Sequence, residues 1–251
     1  MNTTATGVLI SGCLFASVFI GMGLRRVLPE GQLSADSRDA VKLAVGLVAT
    51  MTALLLGLLV SSAKGTYDTE RSEIIQMAAK LSLLNRVLAL YGVETQPSRI
   101  QLRDSVANLV HRFWNTGSEP TLEDAAAEEK GNRVFEAIQS LTPNDDRQKM
   151  LKAQAMSVAM ELAQLRTLLS AQSIPSVSTP LLVAVVCWLV VIFVIFSVLA
   201  PPNATTRMAL LASALSVAGA VCLILELDQP FTGIVQIPSQ PMVNVLSQFP
   251  K

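Results

Sequence analysis

The sequence predicts an all-α membrane protein: four transmembrane helices, with a mid-chain antiparallel helical bundle continuous with the second span. Three observations predict it. Of 251 residues, 51% are hydrophobic and only 15% charged, against about a quarter charged in an ordinary soluble domain. The charge is segregated, nearly all of it lying between Arg25 and Lys42 or between Lys64 and Arg166. A bilayer imposes that pattern, because an ionised side chain in hydrocarbon is costly. Lastly, a helix needs about 20 apolar residues to cross the hydrocarbon core, and four runs supply them.

The first span is Ala5 to Leu24, stopped by Arg25 and Arg26. Its positive charge follows the apolar core, the reverse of a cleaved signal peptide, so the run is expected to stay in the mature protein. Ile10-Ser11-Gly12-Cys13 matches a lipoprotein cleavage pattern by chance, having too little apolar core before it. Val41 to Val60 is the second span, with Lys42 placed to snorkel to the interface. Pro180 to Leu199 is the third, with Thr179 as N-cap and Pro180 at the first helical position. Met208 to Leu225 is the fourth, ended by Glu226, Asp228 and Pro230. Rich in Val, Ile and Phe around Trp188, the third span reads as lipid-facing. Small residues four apart let helix backbones approach in a membrane. The first span carries Gly12, Ala16, Ser17 and Gly21; the fourth carries Ala209, Ala212, Ser213, Ser216, Gly219 and Ala220. Both therefore read as packing helices, either among the four spans or at an oligomeric seam.

Residues 61–178 differ in kind. No proline falls between Val41 and Tyr91, so the second span is expected to continue into water as one helix. Roughly 50 residues make ~75 Å, of which only ~30 Å fits in the bilayer. Ile74, Met77, Ala78, Leu81, Leu84, Leu88 and Tyr91 then form one apolar stripe seeking partners. Three further helices follow, punctuated by Gln96-Pro97, Glu119-Pro120 and Thr142-Pro143. The last takes Thr142 as N-cap and Asp145 and Asp146 in its first turn, with Val158, Leu162, Leu165, Leu168 and Leu169 on one face, and breaks at Ile174-Pro175. Short connections join neighbours, which makes an antiparallel bundle the economical solution. In the tail, residues 227–251, Ile234, Val235 and Ile237 alternate, and Met242, Val245, Leu246 and Phe249 suit a short interfacial segment.

Positive residues near membrane ends favour the cytoplasm. Arg25, Arg26, Arg38, Lys42 and Arg207 lie on one side, Lys64, Arg71, Arg166 and Lys251 on the other. The count leans toward both termini and the bundle lying outside the cytoplasm, in the periplasm of a bacterial cell.

Net charge is zero with no basic stripe, which excludes a nucleic-acid partner. Cys13, Cys187 and Cys222 all fall in apolar runs, where thiols act as small buried hydrophobes, so neither a disulfide framework nor a metal cluster is expected. The sole histidine, His111, lies beside Arg112, Phe113 and Trp114 and reads as a packed or surface residue. No phosphate loop or nucleophile elbow is present. No catalytic, cofactor-binding or metal-binding residue is therefore assigned, and an enzyme is not expected. Within residues 5–24 and 180–225 the only ionisable side chain is Arg207, in a connecting loop. That disfavours a proton-coupled transporter but leaves open a passive pore built from small polar residues and rim charges.

Polar chemistry concentrates where two spans leave the bilayer: Ser61, Ser62, Lys64, Tyr67, Asp68, Glu70 and Arg71 on the second, Glu226 and Asp228 on the fourth. One reading is interfacial anchoring with local pairs, Lys64 with Asp68 and Asp68 with Arg71. The other is a charged ring at a pore mouth, which requires several copies.

At these two places the sequence resembles a known family. Gly57-Leu-Leu-Val-Ser-Ser-Ala-Lys-Gly-Thr-Tyr-Asp-Thr-Glu-Arg71 and Ile224-Leu-Glu-Leu-Asp-Gln-Pro-Phe-Thr-Gly233 are similar to segments of the bacterial bestrophin-like domain family. Leu33-Ser-Ala-Asp-Ser37 followed by Val41-Lys-Leu43 fits it too. The family takes its name from bestrophins, oligomeric anion channels, mainly where a span leads into a Thr-Tyr-Asp segment, here Thr66, Tyr67 and Asp68. The resemblance implies a bacterial inner-membrane protein in a lipid bilayer, a homo-oligomer, and inorganic ions as its cargo. Bestrophins keep their soluble mass in the cytosol, opposite to the charge count. The alternative is a non-conducting adaptor or sensor whose bundle binds a partner.

Overall fold

The computed structural model describes residues 3–27, 35–111, 114, 125–171, 178–201, 203–231, 233 and 235–250. Outside them lie the expected breaks at Glu119-Pro120 and Ile174-Pro175, Leu33 and Ser34 of the family-like segment, and Arg112, Phe113, Ile234 and Lys251. The described residues form α-helices and no strand: α1 (Thr3–Val27), α2 (Ala35–Tyr91), α3 (Gln96–Val110), α4 (Ala125–Gln139), α5 (Asp146–Ala171), α6 (Thr179–Leu199), α7 (Ala204–Leu227) and α8 (Gln240–Leu246). Four of them, α1, α2, α6 and α7, are long and apolar enough to cross a membrane. The chain is an all-α integral membrane protein, and the predicted unbroken second helix is present with 57 residues.

Contacts divide the chain into two compact units, Met1–Thr66 with Ser176–Gln229 and Tyr67–Pro175 with Pro230–Lys251. In the first, Ile10, Leu14 and Val18 of α1 share a core with Leu182, Val185 and Leu189 of α6, with Ala214, Ala218 and Val221 of α7, and with Leu59 and Ala63 of α2. A Cβ on Gly21 would stand 2.5 Å from both the Val194 carbonyl oxygen and Ser197 Cβ, so α1 and α6 cross there backbone to backbone. That crossing lies near the C-terminal end of both helices and their earlier turns share the core, so α1 and α6 run in the same direction. Gly7 lies against Cys222, which sets α1 antiparallel to α7. The end of α1 and the α6–α7 turn therefore occupy one end of this unit.

The spans differ in how much of each packs within the chain. The third span, α6, read as lipid-facing, packs as much of its apolar window within the chain as α1 does, 33%, against 22% for α7 and 17% for α2. Its Val and Ile residues pack into α1 because Gly21 lets the backbones close. On α7 the small residues Ala209, Ala212, Ser213, Ser216 and Gly219 are exposed, while Ala214 and Ala218 are the small residues that pack. On α1 the spacing splits likewise: Ser17 and Gly21 pack, Gly12 and Ala16 do not. Periodicity located the stripes without telling which one the neighbouring helix would cover. Cys13 and Cys187 also point out of the unit rather than into its core.

In the second unit, Lys80 on α2 pairs with Glu161 on α5. Gln148 Nε2, at the start of α5, donates to the Tyr91 carbonyl oxygen, at the end of α2, at 3.1 Å. Advancing along one helix retreats along the other, so α2 and α5 are antiparallel. Ile74, Met77, Leu81, Leu84 and Leu88 of the predicted stripe are buried against Leu102, Val106, Val134, Ile138, Val158, Leu165 and Leu169. The α2 helix ends at Gly92, whose φ of +145° suits glycine, four residues before the Gln96-Pro97 stop expected from sequence; Pro97 lies in the first turn of α3. Thr95 closes the end, its hydroxyl donating to the Leu88 carbonyl oxygen at 2.6 Å. The cap of α5 is also shifted. Asp145 accepts the Gln148 N–H at 2.6 Å, a capping bond that Thr142, farther upstream, does not make. The cap of α6 is Ser178, one residue before the expected Thr179.

Two outcomes follow. Gly21→Leu forces a side chain into backbone and should destabilise the protein by about 1–3 kcal/mol or more, while Gly12→Ala, with nothing within 4 Å, stays within about 0.5 kcal/mol; thermal melts in detergent compare them. Tyr91 is 5% exposed and its hydroxyl has no hydrogen-bond partner. Burial, then the Glu94 and Asp145 carboxylates, raise its phenol above the ordinary 10.0. The neutral phenol therefore supports the fold fully below that ordinary value, and the contribution is lost as pH climbs through the raised one. Tyr91→Phe should be neutral or stabilising near pH 7 and should flatten the alkaline loss of stability, read by circular dichroism across pH 8–12.

Candidate functional site

The polar residues at the membrane exits distribute over distinct surfaces. Successive residues on a helix turn by about 100°, which puts Lys42, Gly46, Thr50, Ala53, Gly57, Ser61 and Lys64 on one side of α2. All seven are exposed. Val45, Thr52, Leu59 and Ala63 on the opposite side are buried in the first unit. The exposed side is thus lined by small residues within the apolar stretch and bounded by a lysine at each end. A Cβ added to Gly46 or Gly57 would meet nothing within 4 Å. The same helical register continues to Asp68 and Arg71, both exposed. Ser62, also exposed, is turned about 100° from Ser61 toward a more greasy strip, Leu47, Met51, Leu54 and Leu58, exposed by 51–75%.

Tyr67 leaves this surface. In the second unit its hydroxyl donates to the Gln236 carbonyl oxygen at 3.3 Å. Nearby, Trp114 Nε1 donates to the Ile237 carbonyl oxygen at 2.6 Å, and the Trp114 ring meets Phe231 edge-on at 6.0 Å. Ile237 N–H donates back to the Pro230 carbonyl oxygen at 2.9 Å, closing a loop from 230 to 237. Farther along, the Asn85 amide donates to the Gln248 carbonyl oxygen and accepts from Arg99 Nε, while Ser82 reaches the Gln248 side chain. Contacts 67 to 236 and 82 to 248 show the tail running alongside α2 in the same direction. Met242, Val245 and Phe249, expected to lie at the lipid interface, are buried in the core of this unit. Their apolar side is occupied within the protein.

Glu226 and Asp228 are half-buried at the C-terminal end of α7, where the helix dipole disfavours anions. Neither they nor Lys64 nor Asp68 is without a partner. Glu70 is buried at 7% exposure on α2, and His111 is exposed. Among the described residues no group of three or more His, Cys, Asp or Glu side chains could hold a metal ion. Of the predicted site residues, Ser61, Lys64, Asp68 and Arg71 share one register on α2, whereas Ser62, Tyr67, Glu226 and Asp228 do not join it. Sequence reasoning missed the Trp114–Phe231 contact. Its signal was there, a tryptophan in the bundle and a phenylalanine after Pro230, but nothing in spacing pairs residues 117 positions apart.

The fold and this helix surface define a polytopic, all-helical membrane protein whose second apolar helix continues unbroken to Tyr91. The chain belongs to the bestrophin-like domain family, whose domain matches residues 12–242. No curated protein matches it, and no solved structure does.

Trp114→Phe keeps the ring and removes one N–H donor; it should cost about 1 kcal/mol in thermal stability. Trp114→Ala should cost more and quicken proteolytic nicking within residues 230–250, read by mass spectrometry.

Proposed function

We propose that several copies of the chain assemble around the small-residue side of α2 into an ion channel. The observation that carries this reading is the exposed row Gly46, Thr50, Ala53, Gly57 and Ser61, in an apolar span, between Lys42 and Lys64. Lipid tails pack poorly on such a surface, while a ring of copies turns it into a narrow, weakly polar path with charged rims. Thr50 donates to its own helix at the Leu47 carbonyl oxygen, 2.7 Å away, and so presents oxygen without an unsatisfied donor. Membership in the bestrophin-like family supports the same reading, bestrophins being ion channels. The candidate rim comprises Ser61 and Lys64, with Lys42 at the other end; Asp68 and Arg71 belong to the second unit.

A second reading, a non-conducting adaptor or sensor, is favoured by one observation. Ile75, Leu83 and Leu90 lie toward one side of α2 in the soluble unit and are 48%, 41% and 51% exposed, a surface suited to a helical partner.

Purified protein in liposomes should pass halide or monovalent cations, and Gly57→Leu, which puts bulk into open space without touching the core, should cut flux at least about tenfold while leaving the melt unchanged. A tight monomer without flux overturns the channel reading; flux untouched by Gly57→Leu overturns the assignment of the path to α2.

A further inference from the structure

Near the end of α1 and the start of α2, two guanidinium groups each keep one buried nitrogen without a hydrogen-bond partner. Arg25 lies in the last turn of α1, and Arg38 in the first turn of α2. Both residues are only partly exposed. Nη1 of Arg25 and Nε of Arg38 are buried with no hydrogen-bond partner. The acid next to Arg38, Asp39, gives its carboxylate to Lys42 at 2.9 Å. Two further cations at this end, Arg26 and Arg207, are exposed.

An arginine cannot shed its proton, and a charge half removed from water is costly unless an anion faces it. Each guanidinium here has one nitrogen wedged against protein, which restrains the fork while leaving its charge to the surroundings. Both residues flank an apolar stretch long enough to span a bilayer, and the ends of such stretches meet lipid phosphates. A guanidinium matches phosphate bidentately, and basic pockets beside spans hold acidic headgroups.

We propose that Arg25 and Arg38 bind the headgroup phosphate of an anionic phospholipid, anchoring this end of the four-span unit in its leaflet. The inference needs only membrane insertion and is independent of channel activity. A free carboxylate or an acidic protein segment would be a competing source of negative charge; the place of the residues at the ends of apolar stretches favours lipid.

The test is a thermal melt of the purified full-length protein in detergent, titrated with phosphatidylglycerol, phosphatidylcholine or inorganic phosphate. Phosphatidylglycerol should raise the midpoint, and the other two should not. The Arg25→Gln, Arg38→Gln double variant should need about tenfold more phosphatidylglycerol for the same rise. The double lysine variant keeps charge but not the fork and should lose at least about threefold, which keeps the test decisive should the glutamine variant not fold. The Arg26→Gln, Arg207→Gln variant should respond as wild type. Equal rises with phosphatidylcholine, a rise with phosphate alone, or equal losses in the exposed-pair variant overturn the proposal.

Discussion

Everything in the four-span unit depends on one constraint: in hydrocarbon no water stands ready for an unpaired polar group. The helices answer it for their backbones, and the hydroxyls follow. Ser11, Ser17, Thr50, Thr52, Ser213 and Ser216 all donate to a carbonyl oxygen three or four residues earlier in their own helix. Each hydroxyl thereby has a local acceptor, and Ser11 alone of the six also reaches another span, 3.9 Å from Cys222 Sγ on α7. Small polar residues can then be placed for their size. Gly21 is used for close approach to α6, and Gly46 and Gly57 leave open space instead. Ser197 is the exception, buried with its hydroxyl unpartnered beside the Gly21 crossing; tight packing there outweighs the cost of one orphaned donor.

The second unit follows another rule, hiding its apolar area in a core of its own. One helix meets both demands. Along α2 the buried residues are Val45, Thr52, Leu59 and Ala63 in the first unit and, in the second, Glu70, Glu73, Asn85 and an almost continuous apolar stripe from Ile74 to Tyr91. The core of the second unit is also discontinuous in sequence, since Phe231, Ile237, Met242, Val245 and Phe249 complete it after α6 and α7 have intervened. That core cannot close before the chain's end arrives, and closing so long a loop carries an entropic cost that only the late contacts offset.

These two rules explain what the sequence revealed and what it withheld. Span number, the unbroken second helix and the apolar stripe from Ile74 to Tyr91 were legible, because each depends on local hydropathy or the 3.6-residue period. Caps were legible to within a few residues, Asp145 standing where Thr142 was expected. Partner choice was not legible. Whether Val185 faces lipid or α1 depends on Gly21 in a distant segment, and hydropathy is identical in both environments. Tail placement failed for a related reason: Met242, Val245 and Phe249 form an apolar side that suits a lipid interface or a protein groove equally. Of the candidate site, the side of α2 carrying Ser61, Lys64, Asp68 and Arg71 was within reach of helical period, whereas Tyr67 turned out to serve the tail.

What distinguishes α2 is the least burial among the spans, 17% of its apolar window, combined with an exposed row of small residues. A helix that packs little usually shows hydrocarbon a full set of large side chains, as α2 does along Leu47, Met51, Leu54 and Leu58. Its other exposed side, through Gly46, Thr50, Ala53 and Gly57, gives up those dispersion contacts. Nothing within one chain recovers them, because the opposite side of the helix already makes the contacts with the core. A surface of that kind gains most from facing other copies of itself, or water held between them. The two exposed sides of α2 therefore differ in what they offer a neighbour, large apolar side chains on one and small residues on the other.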